Sequence, residues 1–600
     1  MLVSTKKLAA LAVTGGLALS AAVLTPAPAS GDPGRPPHAG ENGWVTSTLR
    51  HMTIEEKVGQ LFVTHVYGNT VDSTDQANVD EFGLATPREI IERYHLGGVL
   101  YFAWTHSVDN PTQAAGLSNG VQEVMTSTGA EIPGFVSIDQ EGGLVARVLE
   151  PATQTPGNMA LGATRDVQGT RDLAAIQGEE LAAMGVNMNF APVADVNVNP
   201  ANPVIGVRSF SSDPGLASTL TAAQVNGYEQ DAGISSTAKH FPGHGDTAVD
   251  SHYGFPVITH TREEWETIDK PPFEAAIDAG IDAIMTAHIQ VPALDPSGDP
   301  ATLSKPILTG ILREEMGYDG VVITDALGMG GASATYPPHR VPVLALLAGV
   351  DMLLKPPDGQ FDVMYNAVLD AVASGELTEE RIDTSVRRIL TLKESLGIVE
   401  DPYVDPAELP EHVGTQEHLD TLQQITDRST TLVRNQRDLL PLEVDPGEDA
   451  LVTGWGVSTT GTVAAELTER GIDADAVETG LNPTDETIAA TAKQARHYDN
   501  VVVITNRAGL EGQTNQATLV RRLIKANKHV IAVGVRDAYD VNLFPKVRAY
   551  VATYSYTPAA LDSLARVLVG ELDPTGRLPV TIPQAKGKKT LYPYGHGLEY

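Results

Sequence analysis

The sequence predicts an α/β protein with an N-terminal (β/α)8, TIM-like barrel followed by a second α/β domain. Two observations carry this. Short, nearly continuous apolar or β-branched bursts recur eight times between residues 61 and 354, with helical stretches between them, as parallel strands covered on both faces require. A second alternating region starts near Thr421, and 600 residues exceed what one hydrophobic core organises.

Taken in chain order, Lys6 and Lys7 precede an apolar stretch at 8–24, and Ala27-Pro28-Ala29 supplies a small-x-small cleavage signal. Residues 1–29 therefore read as a secretory signal peptide and 30–44, rich in Gly and Pro, as a flexible lead-in. A secreted, extracellular protein without a stable membrane anchor is expected, since no cysteine exists to carry a lipid. The barrel occupies 45–396, with strands expected at 61–66, 98–102, 134–138, 186–192, 234–239, 283–287, 320–324 and 350–354. A closing helix is expected over 384–396. Residues 397–420 read as a linker, and 421–600 as the second domain, with strands at 449–456, 501–506, 529–534 and 551–554 and helices at 514–526 and 558–569.

Composition narrows the function. Lys and Arg number 41 against 76 Asp and Glu, a formal charge of −35 that repels phosphate backbones, so nucleic acid is not an expected partner. The absence of cysteine removes disulfides, thiolate nucleophiles and cysteine-ligated metals. No HExxH, P-loop, EF-hand or GxSxG pattern occurs, and Gly454-x-Gly456 lacks the rest of a dinucleotide fingerprint. No cofactor and no metal are expected.

In a parallel barrel the residues just after each strand gather at one rim, where active sites form. The rim candidates are Asp139-Gln140-Glu141, Asp195, Lys239-His240, His288 and Asp325. The densest run, Lys239-His240-Phe241-Pro242-Gly243-His244-Gly245-Asp246-Thr247, is followed by Asp250-Ser251-His252. In Asp250-x-His252 the carboxylate can orient the imidazole and stabilise its protonated form, which suits a general acid. An ordinary polar loop, or zinc held by His240, His244 and His252, are the alternatives. Asp325 follows the apolar run Val321-Val322-Ile323-Thr324, where it could be a nucleophile or cap the next helix. A carboxylate nucleophile and a separate proton donor suffice for retaining glycosyl transfer. Asp139 and the cations Arg147, Arg208 and Lys239 could bind an oxygen-rich substrate or serve fold-supporting ion pairs. Tyr101 and Trp104 could stack on a sugar or pack in the core, and neither is assigned.

These motifs resemble glycoside hydrolase family 3, from about residue 45 to the end. The barrel looks most like its bacterial beta-N-acetylhexosaminidase, NagZ-like branch, on Ile138-Asp139-Gln140-Glu141-Gly142-Gly143, the 239–247 run, Asp250-Ser251-His252 and Thr324-Asp325-Ala326-Leu327-x-Met329. The C-terminal half resembles the family's α/β sandwich domain, on Pro574-Thr575-Gly576-Arg577-Leu578-Pro579 and the segment 591–598. The resemblance implies Asp325 as nucleophile, His252 as acid/base and Asp250 as its partner, with Asp139, Arg147, Lys239, His240 and Arg208 lining the terminal-sugar subsite. It implies retaining, exo-acting release of terminal β-linked N-acetylglucosamine from chitin oligosaccharides or peptidoglycan fragments. A secreted beta-glucosidase, an N-acetylglucosaminide phosphorylase and an inactive glycan-binding protein are the alternatives. One position departs: Leu144 stands where the branch commonly has arginine.

Overall fold

The computed structural model describes residues 43–250, 254, 256–333, 335–510, 512–585 and 589–600. The expected signal peptide, the lead-in up to residue 42 and His252 lie outside the described residues.

Among the described residues the first half forms a barrel of eight parallel strands: β1 (Phe62–His65), β2 (Gly98–Tyr101), β3 (Phe135–Ile138), β4 (Met188–Asn189), β5 (Ser235–Phe241), β6 (Ala283–Thr286), β7 (Val321–Thr324) and β8 (Leu353–Leu354). Each pairs with its sequence neighbour, β8 returns to β1, and a parallel bridge between Ile323 and Met352 closes the ring. Every residue of these strands is buried, which is why they read as continuous apolar bursts rather than as alternation. Threonine caps paired with glutamates three residues on start several of the helices, as at Thr53/Glu56, Thr86/Glu89 and Thr261/Glu264.

Two strands differ from expectation in a way that shapes the site. β4 is only two residues long, because Pro192 has no N–H to give a ladder and the Asn189 side chain takes over the pairing. Its Oδ1 accepts from Gln140 N at 3.0 Å and its Nδ2 donates to Gln140 O at 2.9 Å. β5 runs two residues further than expected and carries Lys239 and His240 inside the strand. Its register against β6 slips there: Lys239 faces Met285 and Phe241 faces Thr286, leaving His240 as an extra residue. Such a bulge re-aims a side chain that strict alternation would send to the opposite face.

The second half holds a six-stranded sheet of β9 (Thr431–Asn435), β10 (Asp449–Gly454), β11 (Asp473–Glu478), β12 (Asn500–Thr505), β13 (Val530–Gly534) and β14 (Ala549–Ala552). The order is β11-β10-β12-β13-β14-β9, parallel except for β9. A short hairpin of β15 (Ile582–Pro583) and β16 (Thr590–Tyr592) follows. β9 and β11 are not anticipated in the sequence: β11, Asp-Ala-Asp-Ala-Val-Glu, is an exposed edge with no fully buried residue. Thr421 falls in a helix, Gln416–Thr426, and the sheet begins ten residues later. One apolar layer on this sheet, including Leu451, Val503, Leu519 and Tyr550, continues into Met159, Ala160 and Val207 of the barrel half. The stretch 397–420 is strapped to the barrel: Gly414 N and His418 Nδ1 meet Glu180 Oε1 at 2.9 and 3.0 Å, and Asn119 Nδ2 donates to Val404 O.

Lys393, in the helix Glu379–Ser395, is fully buried, donating to Gln60 Oε1 at 2.7 Å and lying 5.1 Å from the Phe135 ring centre. Burial pushes its pKa down to about 7. The unfolded chain keeps this proton up to the ordinary lysine range, so unfolding takes up a proton between about pH 7 and 10 and stability rises with pH across that window. Lys393→Met removes this gain. Thermal melts at pH 7 and 9.5 should show the wild type improving relative to the variant by up to about 3 kcal/mol, a few degrees in Tm; a pH-independent difference would contradict the assignment.

Candidate active site

The C-terminal ends of the barrel strands open on a cavity of about 510 Å³, whose lining includes Asp139, Glu141, Arg147, Arg208, Lys239, His240, His244 and Asp325. Six of the eight residues singled out in the sequence thus meet in one cavity. Asp250 is described and half-buried but is not among the lining residues, and its expected partner His252 lies outside the described residues.

At one side of the cavity four charged side chains interlock. Lys239 Nζ donates to Asp139 Oδ1 and lies 2.7 Å from Glu141 Oε1. The Arg208 guanidinium grips the same Glu141 bidentately, Nε to Oε2 and Nη2 to Oε1, both at 2.8 Å. Burial opposes the charge on Glu141, but Arg208 and Lys239 outweigh it and hold the carboxyl well below the usual range. Lys239 is likewise opposed by burial and held above the ordinary lysine value by Asp139 and Glu141. Two of the three ammonium protons are engaged, leaving a donor for a hydroxyl.

The bulge in β5 brings His240 into the cavity beside Lys239. Its Nδ1 meets Asp195 Oδ2 at 2.7 Å, while Asp195 Oδ1 accepts from the His240 and His244 backbone N–H groups at 3.2 and 2.7 Å. Asp195, fully buried, thereby ties the end of β5 to the segment after β4. His240 Nε2 lies 3.4 Å from Arg208 Nη2. Burial pushes the pKa of the His244 imidazole down to about 4, so it is neutral above that pH.

Asp325 directly follows β7. Its Oδ1 accepts from Ala326 N at 2.7 Å, and the Ala326 carbonyl accepts from His288 Nε2 at 3.1 Å. Burial works against ionisation of Asp325, yet the nearby imidazoles of His240 and His288, the Ala326 N–H and the Lys239 cation leave its pKa below the usual carboxylate value. Burial also lowers His288, so at neutral pH that ring is uncharged, whereas the Ala326 N–H and the Lys239 cation support the Asp325 charge independently of it. The result is a desolvated carboxylate that stays anionic, the state a nucleophile needs.

Arg147 stands over the Phe102 ring, its Cζ 5.6 Å from the ring centre, and its Nε has no hydrogen-bond partner among the described residues. The turn that delivers it requires Gly143: its φ is +57°, and a Cβ there would lie 2.8 Å from Pro156 O. Leu144 points elsewhere. It packs against the apolar layer shared with the second half of the chain, so the departure from arginine falls at a domain contact and not in the cavity wall.

The sequence reading leaves several lining residues, and the buried Asp195 behind His240, without a role. Glu141 and Asp195 are visible as strand-end acids, but their roles arise from contacts 67 and 45 residues away. Lys355 follows β8 at the rim position, with a left-handed φ of 40°, and Trp104 follows β2. Tyr101 is core, donating to or accepting from Ser118, whereas Trp104 is 53% exposed, stacks on Phe102 at 5.0 Å and lines the cavity. Among the described residues no cluster of three or more His, Asp or Glu is arranged to hold a metal ion.

Residues 53–392 match the Glycosyl hydrolase family 3 N terminal domain and residues 430–600 the corresponding C-terminal domain. Beta-hexosaminidase A of Pseudoalteromonas piscicida is 33% identical over 82% of this chain and 90% of its own length. A beta-N-acetylglucosaminidase/beta-glucosidase of Cellulomonas fimi is 28% identical over 90% of this chain and 95% of its own. The structure of a family 3 beta-N-acetylglucosaminidase from Paenibacillus sp. str. FPU-7 superposes with a TM-score of 0.80 at 35% identity, covering 89% of this chain and all of that one. With both halves matched in order, and with relatives of hexosaminidase and glucosidase type, this chain belongs to glycosyl hydrolase family 3.

Proposed function

We propose that this glycoside hydrolase is a secreted, retaining, exo-acting beta-N-acetylhexosaminidase that removes terminal β-linked N-acetylglucosamine from chitin oligosaccharides or peptidoglycan fragments. The observation that carries the mechanism is Asp325: a buried carboxylate kept anionic beside a polar cradle suited to sugar hydroxyls. Asp139, Lys239, His240, Arg208 and Arg147 hold the terminal sugar. An Asp325 oxygen attacks the anomeric carbon as the glycosidic C–O bond breaks, and His252, oriented by Asp250, gives its proton to the departing oxygen. Water then attacks the same carbon, His252 takes the water proton, and Asp325 is released with the β configuration restored. Two relatives whose names specify hexosaminidase or N-acetylglucosaminidase support the acetamido preference. The dual name of the Cellulomonas fimi relative favours beta-glucosidase as the second reading.

Substitution separates the two chemical roles. Asp325→Asn should lower kcat by at least about 10³-fold on every glycoside without loss of fold. His252→Ala should cost about 10²- to 10⁴-fold in kcat/KM, which reports the first displacement, on alkyl or sugar leaving groups, but far less in kcat/KM on 2,4-dinitrophenyl glycosides, whose leaving oxygen needs no proton. Equal losses on both substrates would remove His252 from the donor role.

Anomer-resolved NMR during turnover of chitobiose and of a glucose disaccharide, with and without phosphate, tests the substrate. First-formed β-N-acetylglucosamine, unaffected by phosphate and with at least tenfold slower glucoside turnover, is the expected result. Comparable glucose release would favour the glucosidase reading, and a sugar 1-phosphate would replace hydrolysis by phosphorolysis.

A further inference from the structure

All the cavity-lining residues named among the described ones come from the barrel half of the chain. The second domain nevertheless grips the segment that delivers Arg208. From the end of β4 to residue 212 this segment meets the second domain repeatedly. Asn197 Nδ2 donates to Tyr539 Oη at 3.1 Å, and Ser211 Oγ and Ser212 N donate to Pro579 O at 2.6 and 3.1 Å. Gly206, with φ +46°, sits so close to Asp537 that a Cβ would lie 2.7 Å from its Oδ1.

The central contact is Arg507, just beyond β12. Its Nη1 and Nη2 donate to the carbonyls of Pro203 and Asn202, both at 2.9 Å, and its Nε pairs with Asp537 Oδ2 at 2.8 Å. Arg507 has a left-handed φ of 52°, a conformation that persists in a non-glycine residue where the surroundings over-determine it. A planar five-donor fork is suited to holding two adjacent carbonyls and a carboxylate at once.

Asn202, 1% exposed, passes this grip on in two directions. Its Oδ1 accepts from Val204 N and Ile205 N at 3.0 and 2.9 Å, shaping the turn in which Arg208 N donates to Ile205 O. Its Nδ2 donates to the carbonyls of His244 and Gly245 at 2.9 and 3.1 Å, fixing the segment that follows His240. A single buried residue thus links the loops after β4 and β5 through its side chain, and both to the second domain through its backbone carbonyl.

We infer that Arg507 is a positioning residue: through Asn202 the second domain holds Arg208 in its sugar-binding pose without entering the cavity. This rests on the reading of Arg208 as a terminal-sugar contact. Loss of the fork frees the Asn202–Pro203 carbonyls, lets the turn relax and weakens substrate binding at a distance.

The test is a double-mutant cycle in the full-length protein with a 4-nitrophenyl β-N-acetylglucosaminide. Arg507→Ala should lower kcat/KM at least tenfold, chiefly through KM. Arg208→Lys should lower it too, and the double variant should fall within twofold of the weaker single variant, because both act on one contact. Arg507→Lys, which keeps a cation for Asp537 but cannot span both carbonyls, should lie between Arg507→Ala and the wild type, and serves in the cycle if Arg507→Ala does not fold. Arg470→Ala breaks ion pairs to Glu466, Asp562 and Glu571 wholly inside the second domain, and should lower Tm without changing kcat/KM. Multiplying losses, wild-type kinetics for Arg507→Ala, or an equal kinetic loss for Arg470→Ala would overturn the inference. If the wild type turns over glucosides and not N-acetylglucosaminides, the substrate reading fails while the same cycle on the glucoside still decides the role of Arg507.

Discussion

The buried ionic lattice of Asp139, Lys239, Glu141 and Arg208 is the constraint on which the site depends. Lys239 and Glu141, each 2% exposed, are taken out of water together, and both are acceptable only because the half-buried Asp139 and Arg208 complete their pairing. Removing Glu141 would leave Arg208 without its bidentate partner and Lys239 with Asp139 alone, so two cations would share one half-buried carboxylate. The lattice joins the end of β3, the bulged end of β5 and the turn at Gly206–Arg208, three places on the rim that local structure alone would not bring into register. With two charges of each sign, it presents oriented donors and acceptors to an uncharged sugar without a net charge of its own. In a chain of charge −35, this gives the cavity its own electrostatics.

A second constraint is the tie between strands and following loops. Asp195 accepts two backbone N–H groups from the β5 end and meets the His240 ring, so the imidazole is fixed from both its main chain and its side chain. The bulge makes this possible by putting two consecutive residues, Lys239 and His240, on one wall. Asn202 repeats the device one layer out, with Arg507 behind it. The second domain therefore acts as part of the frame of the barrel loops, and the shared apolar layer through Val207 makes the two halves one packed body on that side.

Much of this was legible in the sequence because burial on both faces writes β1 to β8 as apolar bursts, and because function in a barrel sits at the residue after each burst. Asp139 and Asp325 follow from that rule alone, whereas Lys239 lies inside β5 and reaches the site through the bulge at His240. Glu141, although in the same motif as Asp139, gains its role from Arg208, a pairing made by tertiary packing and invisible to spacing. Trp104 was ambiguous for a physical reason: an aromatic residue beside an apolar strand has the same signature whether it faces core or cavity, and its neighbour Tyr101 took the core position. β11 escaped because an exposed edge strand of Asp and Ala carries no hydrophobic signal. Lys355 was left unassigned although the expected run 350–354 ends where β8 does, because a lysine after a strand has the same signature whether its side chain lines a cavity or faces solvent.

The account stands on Asp325 being the carboxylate that bonds to the sugar. The most direct measurement is mass spectrometry of the protein, intact and as peptides, after incubation with a 5-fluoro-N-acetylglucosaminyl fluoride, which slows release of a glycosyl ester relative to its formation. One sugar adduct on the peptide containing Asp325, absent from the Asp325→Asn variant, is the predicted result. An adduct on another carboxylate, or turnover with inverted configuration and no trapped ester, would contradict it.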